Sequence, residues 1–286
     1  MHRRAHVALL VAALCAGCVS APLRFPNATP GAPLDVPAWE YRPEGSGPFP
    51  AVVLFHGCHG VSPSNHEWAR WFRDRGYVAL VVDSWGARAI GKGCDAGTPD
   101  VGPTERFDDA AGALRFLHAR AYVDTARVGA IGWSNGGVFA IAVINGPSLE
   151  RARRRGVTLP APGFAAAVGV YPGGCYSLVS EAVTRPLLVL LGDADDWTIP
   201  GPCVEMVDRM RRRGAEATVV LYPGVYHYFD VIDFDVIGQK VTYLPEVGNR
   251  NKPGECCGAT VGFDASAFAD ARRRVAAFFG RHLRGM

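Results

Sequence analysis

Short, nearly continuous apolar runs recur along this chain, with helix-forming segments between them. The runs are Ala51–Phe55, Val78–Asp83, Val128–Trp133, Ala165–Tyr171, Leu187–Gly192 and Thr218–Tyr222. A strand with one wet face alternates apolar and polar side chains, so an unbroken run marks a strand covered on both faces. Trp68–Arg75, Glu105–Ala119, Val138–Ile144 and Gly201–Arg213 read as helices, and Ala265–Leu283 as a long closing helix. In Glu105–Ala119, for example, Phe107, Ala110, Ala111, Leu114 and Leu117 fall at helical spacing. Strands alternating with amphipathic helices predict βαβ units: an α/β fold whose central, mostly parallel sheet is flanked by helices. Chemistry in such folds gathers beyond the carboxyl ends of the strands.

The chain of 286 residues is 49% apolar and 20% charged, and it divides unevenly. Met1-His2-Arg3-Arg4 is a basic start, followed by an apolar stretch from Val7 to Ala16, too short to span a bilayer and suited to a signal peptide. Leu14-Cys15-Ala16-Gly17-Cys18 resembles a bacterial lipobox, with Cys15 where the pattern usually has Leu; Cys18 would then carry lipid. The expected organisation is a signal peptide over 1–17, a Pro-, Ala- and Gly-rich tether over 18–37, and one domain over 38–286. The expected location is the periplasm, the outer membrane through the lipid anchor, or the medium. Without the first 17 residues, and so without Arg3 and Arg4, 28 basic groups face 27 acidic ones, a balance that offers no nucleic-acid surface. Arg151, Arg153, Arg154 and Arg155 read as a solvated helix end or loop. Without Cys15 and Cys18, six of the eight cysteines are left, an even number that favours disulfides in an oxidising compartment. Their 15 possible pairings are not separable by sequence.

The third run leads into Gly132-Trp133-Ser134-Asn135-Gly136-Gly137. This is G-x-S-x-G between strand and helix, the nucleophile elbow of an α/β-hydrolase. Gly132 and Gly136 leave room for a sharp turn that lifts the Ser134 hydroxyl above the sheet, at a helix N-terminus that favours developing negative charge. A serine needs a base. His227 lies just after the last apolar run, where this fold places it, whereas His56, His59 and His66 precede the nucleophile. The acid belongs between them in the chain. Gly192-Asp193-Ala194-Asp195-Asp196 offers Asp195, with Asp196 as its rival. Asp83 reads as a structural cap. The oxyanion hole of this fold takes one backbone N–H from the residue after the nucleophile, here Asn135, and one from the loop after an early strand, here Cys58. His56, Cys58 and His59 lack the partner pair that a zinc site needs, and the motifs call for no cofactor.

As an ordered set, His56-Gly57-Cys58-His59-Gly60, the Ser134 elbow, Gly192 to Thr198, Tyr222 to His227, Asp83 to Arg88 and Gly258 to Asp264 resemble the dienelactone hydrolase family over roughly residues 38–283. The resemblance implies one α/β-hydrolase domain with Ser134, Asp195 and His227 as its triad. It also implies disulfides Cys58–Cys94 and Cys175–Cys203, and leaves Cys256 and Cys257 open. The family's founding activity uses a cysteine nucleophile on an enol lactone; the serine here is similar to that of the family's general carboxylesterases.

The expected function is therefore hydrolysis of a small carboxylic ester or lactone, with no nucleic-acid partner and no membrane contact beyond the lipid anchor at Cys18. A peptidase of the prolyl-oligopeptidase type shares fold and triad order, but needs a propeller or large cap for which this length leaves no room. A non-catalytic envelope module on the same fold is the other rival, since fold alone does not specify activity. Residues 229–257 form either a lid or surface decoration. Trp85, Trp133, Trp197, Tyr226 and Tyr228 either line a substrate pocket or belong to the core, and Arg88 is a candidate contact for a substrate carboxylate.

Overall fold

A computed structural model describes residues 22–91, 93–95, 101–175, 182–232, 241–249, 251 and 257–286. Eight strands form one sheet: β1 (Leu23–Pro26), β2 (Asp35–Tyr41), β3 (Phe49–Phe55), β4 (Val78–Val82), β5 (Val123–Trp133), β6 (Ala166–Val170), β7 (Leu187–Gly192) and β8 (Ala217–Tyr222). Their order across the sheet is β1-β2-β4-β3-β5-β6-β7-β8. Strands β3 to β8 run parallel, and β1 and β2 join antiparallel at one edge.

The unbroken apolar runs are explained by two covered faces. Val53, Phe55, Leu80, Val128, Ala130, Val189 and Leu191 point to one side, beneath α2 (Pro103–His118), α3 (Asn135–Ala142) and α5 (Gly201–Arg212). Their neighbours Val52, Leu54, Val81, Ile131, Val168, Leu188 and Leu190 point to the other, beneath α1 (Pro63–Arg73) and α6 (Ala265–Phe279). Each helix begins where its sequence permits. Pro63 opens α1 after a capping box between Ser62 and Asn65, and the Asp264 side chain accepts the Ser266 and Ala267 N–H groups at the start of α6. The arginines 151, 153 and 154 lie in the last turn of a further helix, α4 (Gly146–Arg154), and Arg155 just beyond it pairs with Asp108 at 2.8 Å.

The tether expected over 18–37 requires correction from Leu23 onward; residues 1–21 lie outside those described. Leu23–Pro26 pairs with β2. Phe25 is buried, with its ring 5.7 Å from that of Phe116. Asn27 Nδ2 donates to Asp109 at 2.9 Å. Gly112 makes this approach possible, because a Cβ there would meet Pro26 O at 2.6 Å. A Pro-rich stretch suits a sheet edge, where few ladder donors are required. No described helix is long and apolar enough to cross a membrane.

After β8 come two strands outside the main sheet, β9 (Thr242–Gly248) and β10 (Cys257–Val261), paired antiparallel. They rest on the loops at the carboxyl end of the sheet. Gly248 N donates to Cys94 O at 2.9 Å, and Trp197 Nε1 donates to Gly248 O at 3.0 Å.

Candidate active site

Ser134 sits between β5 and α3 with φ 51° and ψ −120°, a conformation rare for any residue with a side chain. Small neighbours make the turn possible. A Cβ on Gly132 would strike the Gly136 carbonyl, and one on Gly136 would strike the Phe55 and His56 carbonyls. The Ser134 N–H is anchored to Val170 O at 2.9 Å, which ties the turn to the end of β6.

The neighbouring strand ends bring the His227 and Asp195 loops together. His227 Nδ1 donates to Asp195 Oδ2 at 2.7 Å, and both side chains are buried. Asp195 Oδ1 also accepts the backbone N–H groups of Trp197, at 3.0 Å, and Thr198, at 2.8 Å; the Thr198 hydroxyl donates to Oδ2 at 2.8 Å. These donors fix the carboxylate, and the carboxylate in turn fixes the imidazole tautomer. With the proton on Nδ1, Nε2 presents its lone pair. Nε2 is buried and, among the described residues, has no hydrogen-bond partner. Tyr171, Tyr228 and Trp197 enclose the ring, with centroids 4.4, 4.8 and 4.9 Å from it.

Asp196 faces the other way. Its two oxygens accept the Thr260 N–H at 2.7 Å and the Thr260 hydroxyl at 3.0 Å, so it fastens β10. Of the two carboxylates that the sequence left in competition, only Asp195 is hydrogen-bonded to His227.

The loop after β3 passes directly over the serine: a Cβ on Gly57 would lie 3.6 Å from Ser134 Cβ. His56 is fully buried and organises this loop. Its Nε2 accepts the Ser84 N–H at 3.2 Å, leaving the proton on Nδ1, which donates to Gly57 O at 2.6 Å. Burial, with the Arg106 cation nearby, pushes its pKa well below the usual histidine value and keeps the ring neutral. The Cys58 carbonyl accepts from Trp85 Nε1 and from Gly93 N, both at 2.8 Å. Among the described residues no acceptor takes the Cys58 or the Asn135 N–H.

Both disulfides implied by the resemblance are present. Cys58–Cys94 ties the loop after β3 to the segment beneath β9, and Cys175–Cys203 ties the loop after β6 to α5. Cys256, whose pairing the sequence left open with that of Cys257, lies outside the described residues. Arg88 is not presented to a substrate: its guanidinium holds Asp109 through two bonds of 2.8 and 3.0 Å. Trp85 and Trp133 are buried, with their indole N–H groups committed inside the protein. Asp83 caps its turn by accepting the Gly86 N–H at 2.8 Å.

Two buried charges bonded to the residues on either side of Ser134 escaped the sequence reading. Asp230 Oδ2 accepts the indole N–H groups of Trp68, at 2.8 Å, and Trp133, at 2.6 Å, and its Oδ1 accepts the Tyr171 hydroxyl at 2.5 Å. Burial raises its pKa against those bonds. Arg106, fully buried on α2, donates to Asn135 Oδ1 at 2.5 Å and to His56 O at 2.9 Å. Each carried a signal. Arg106 lies on the same helical stripe as Ala110, Ala113 and Leu117, and Asp230 interrupts the apolar stretch Phe229 to Ile232.

Comparison with known proteins agrees with this architecture. A lactonase of Bradyrhizobium sp, named as a probable 2-oxo-3-(5-oxofuran-2-ylidene)propanoate lactonase, is 24% identical over 67% of this chain and 78% of its own length. Acylamino-acid-releasing enzyme 2 of Oryza sativa subsp. japonica is 22% identical over 65% of this chain, which spans only 28% of that protein. Among solved structures, a dienelactone hydrolase-like promiscuous phosphotriesterase from metagenomic libraries superposes with TM-score 0.64 at 23% identity, covering 92% of this chain and 99% of the other. Thermogutta terrifontis esterase 2, phosphorylated by paraoxon, gives 0.61 at 18% identity, covering 92% and 94%. At these identities the structural likeness speaks for the fold. The profile of the dienelactone hydrolase family matches residues 36–283 from β2 to the end of the closing helix, and the chain belongs to that family.

Proposed function

We propose that this hydrolase cleaves small carboxylic esters or lactones through an acyl-enzyme on Ser134. The observation that carries the reading is the 2.7 Å bond from His227 Nδ1 to Asp195, which leaves a buried Nε2 lone pair without a partner among the described residues, on a loop at the carboxyl end of the sheet, where Ser134 also stands. His227 takes the Ser134 proton as the hydroxyl attacks the carbonyl, and Asp195 stabilises the imidazolium. The Cys58 and Asn135 N–H groups receive the oxyanion. His227 returns the proton to the leaving alkoxide, and water repeats the cycle on the acyl-enzyme.

The lactonase relative and the esterase neighbours support this substrate class. A serine in place of the cysteine of the family's founding activity favours general esters over an enol lactone. The disulfides Cys58–Cys94 and Cys175–Cys203 support an exported protein, in line with a signal peptide and a lipid anchor at Cys18. The acylamino-acid-releasing relatives keep a peptidase reading in play.

The test is turnover of p-nitrophenyl esters, simple lactones and an acylaminoacyl amide by the mature protein beside Ser134→Ala. Ester or lactone turnover that vanishes in the variant supports the proposal. Preference for the amide replaces it with the peptidase reading, and ester turnover that survives in the variant rejects Ser134 as nucleophile.

A further inference from the structure

We infer that Arg106 is a positioning residue for the oxyanion hole, joining the two loops that supply its donors and setting a fixed positive charge behind them. The inference rests on the acyl-enzyme reading above and concerns the same site.

The two proposed donors come from separate parts of the chain. Asn135 N–H belongs to the first residue of α3, and Cys58 N–H to the loop after β3. The register of β3 against β5 ends at Phe55 opposite Gly132, three residues short of each donor. Arg106 spans the gap. One nitrogen of its guanidinium donates to Asn135 Oδ1 at 2.5 Å and another to His56 O at 2.9 Å, two residues before Cys58. The planar fork suits two acceptors held at a fixed separation, a task a lysine performs poorly. Its own position is fixed as well, with Trp85 and Phe139 rings 4.8 and 4.7 Å from the guanidinium carbon.

The charge matters apart from the geometry. The side chain is fully buried, so its field is screened far less than that of a surface arginine. It also disfavours protonation of His56, which keeps the Nε2 acceptor for Ser84 and the Nδ1–H donor for Gly57. A neutral substrate carbonyl gains little from a cation behind the amides, whereas a tetrahedral oxyanion gains much. Interactions that strengthen only in the transition state change kcat rather than KM. A purely structural arginine would instead change stability and leave both constants in place.

The experiment compares wild type with Arg106→Lys, Arg106→Met and Asn135→Ala, the last removing one acceptor while keeping the backbone N–H. For each, kcat, KM, thermal midpoint and the affinity for phenylboronic acid are measured; the boronate adds to the serine and places a negative tetrahedral oxygen in the hole. The expected result is a fall in kcat of at least about tenfold in the arginine variants, approaching the 100-fold typical of losing one oxyanion donor. KM stays within about threefold and boronate affinity falls in parallel with kcat. Asn135→Ala shows part of the loss, and adding Arg106→Lys to it costs less than in wild type. If Arg106→Met does not fold, Arg106→Lys and Asn135→Ala decide. A kcat within about twofold of wild type in both, or a loss confined to KM, overturns the inference. Fluorophosphonate labelling of Ser134 separates the two levels. A wild type that is not labelled overturns the acyl-enzyme reading together with this inference, and a labelled wild type with unaltered variants overturns this inference alone.

Discussion

The two flanks of Ser134 are held by buried charges of opposite sign. Toward β3 and β4 the charge is the Arg106 guanidinium, which donates to the oxygens of Asn135 and His56. Toward β6 and β8 it is the Asp230 carboxylate, which gathers donors from Trp68, Trp133 and Tyr171. Burying either ion costs several kcal/mol before hydrogen bonds offset it. A chain selected only for stability would place apolar side chains in both positions. Under the proposed reaction the arrangement has a direction: negative charge grows on the cation's flank, as a carbonyl becomes an oxyanion, and positive charge grows on the anion's flank, as His227 takes a proton. Tyr171 links the second flank to the base, with its hydroxyl on Asp230 and its ring against the imidazole.

The largest kinetic loss is expected at Asp195. Asp195→Asn disturbs the tautomer of His227 and is expected to lower kcat by about 10⁴-fold. Asp196→Asn, one residue along, is expected to leave kcat within about threefold while weakening the hold on Thr260. Steady-state kinetics of the pair separate the two carboxylates, and a large kcat loss in Asp196→Asn would reverse their assignment.

Next in size is Asp230→Ala. It strands the donors of Trp68, Trp133 and Tyr171, each worth about 1–3 kcal/mol when left buried without an acceptor, so a loss of about 3 kcal/mol or more in urea unfolding is expected. Asp230→Asn gives the complementary pH result. Because burial raises the Asp230 pKa in the folded protein, the folded state holds its proton more tightly than the unfolded chain does. That contribution is fully present below the ordinary carboxyl value and is lost as pH rises through the raised one. Stability measured across that window is expected to fall less steeply with pH in Asp230→Asn than in wild type.

Two disulfides brace the loops around the site, Cys58–Cys94 at the loop after β3 and Cys175–Cys203 between the loop after β6 and α5. Replacing either pair by serines is expected to cost about 2–4 kcal/mol. Only the first is expected to lower kcat strongly as well, because Cys58 carries a proposed oxyanion donor; equal kinetic effects would remove that asymmetry.

The smallest effect belongs to a position on neither flank. Asp264→Ala removes the cap of α6 and is expected to cost about 1 kcal/mol near neutral pH. Backbone and serine hydrogen bonds hold the Asp264 pKa below the usual carboxylate value. The cost is therefore present above that usual value and fades as pH falls through the lowered one, the opposite slope to that of Asp230.

The parallel strands were legible because burial on both faces writes an unbroken apolar run in β3 to β7, while the edge strand β8 carries an apolar run with Leu221 exposed. Strands β1 and β2 were not, since an edge rich in proline looks like a linker until Phe25 and Asn27 find their partners on α2. Ser134, His227 and an acid between them could be placed by motif and chain order. Asp195 was preferred but Asp196 stayed its rival, because one residue of backbone path decides whether a carboxylate meets His227 or Thr260. Arg106 and Asp230 broke apolar patterns in the sequence, but their roles were not legible, because hydrogen-bond partners lie 29 residues away at Asn135 and 97 residues away at Trp133.

The backbone at Ser134 has one further consequence. A positive φ of 51° with ψ at −120° is territory in which glycine rests comfortably and serine does not. Such a conformation typically withholds about 1–3 kcal/mol from the fold. The variant Ser134→Gly, inactive under the proposed reaction, should therefore melt above wild type, with part of the gain offset by the greater freedom of glycine in the unfolded chain. If it does, the hydroxyl at 134 is kept against the folding preference of its own position, and the thermal curve of a dead variant becomes a record of selection for chemistry.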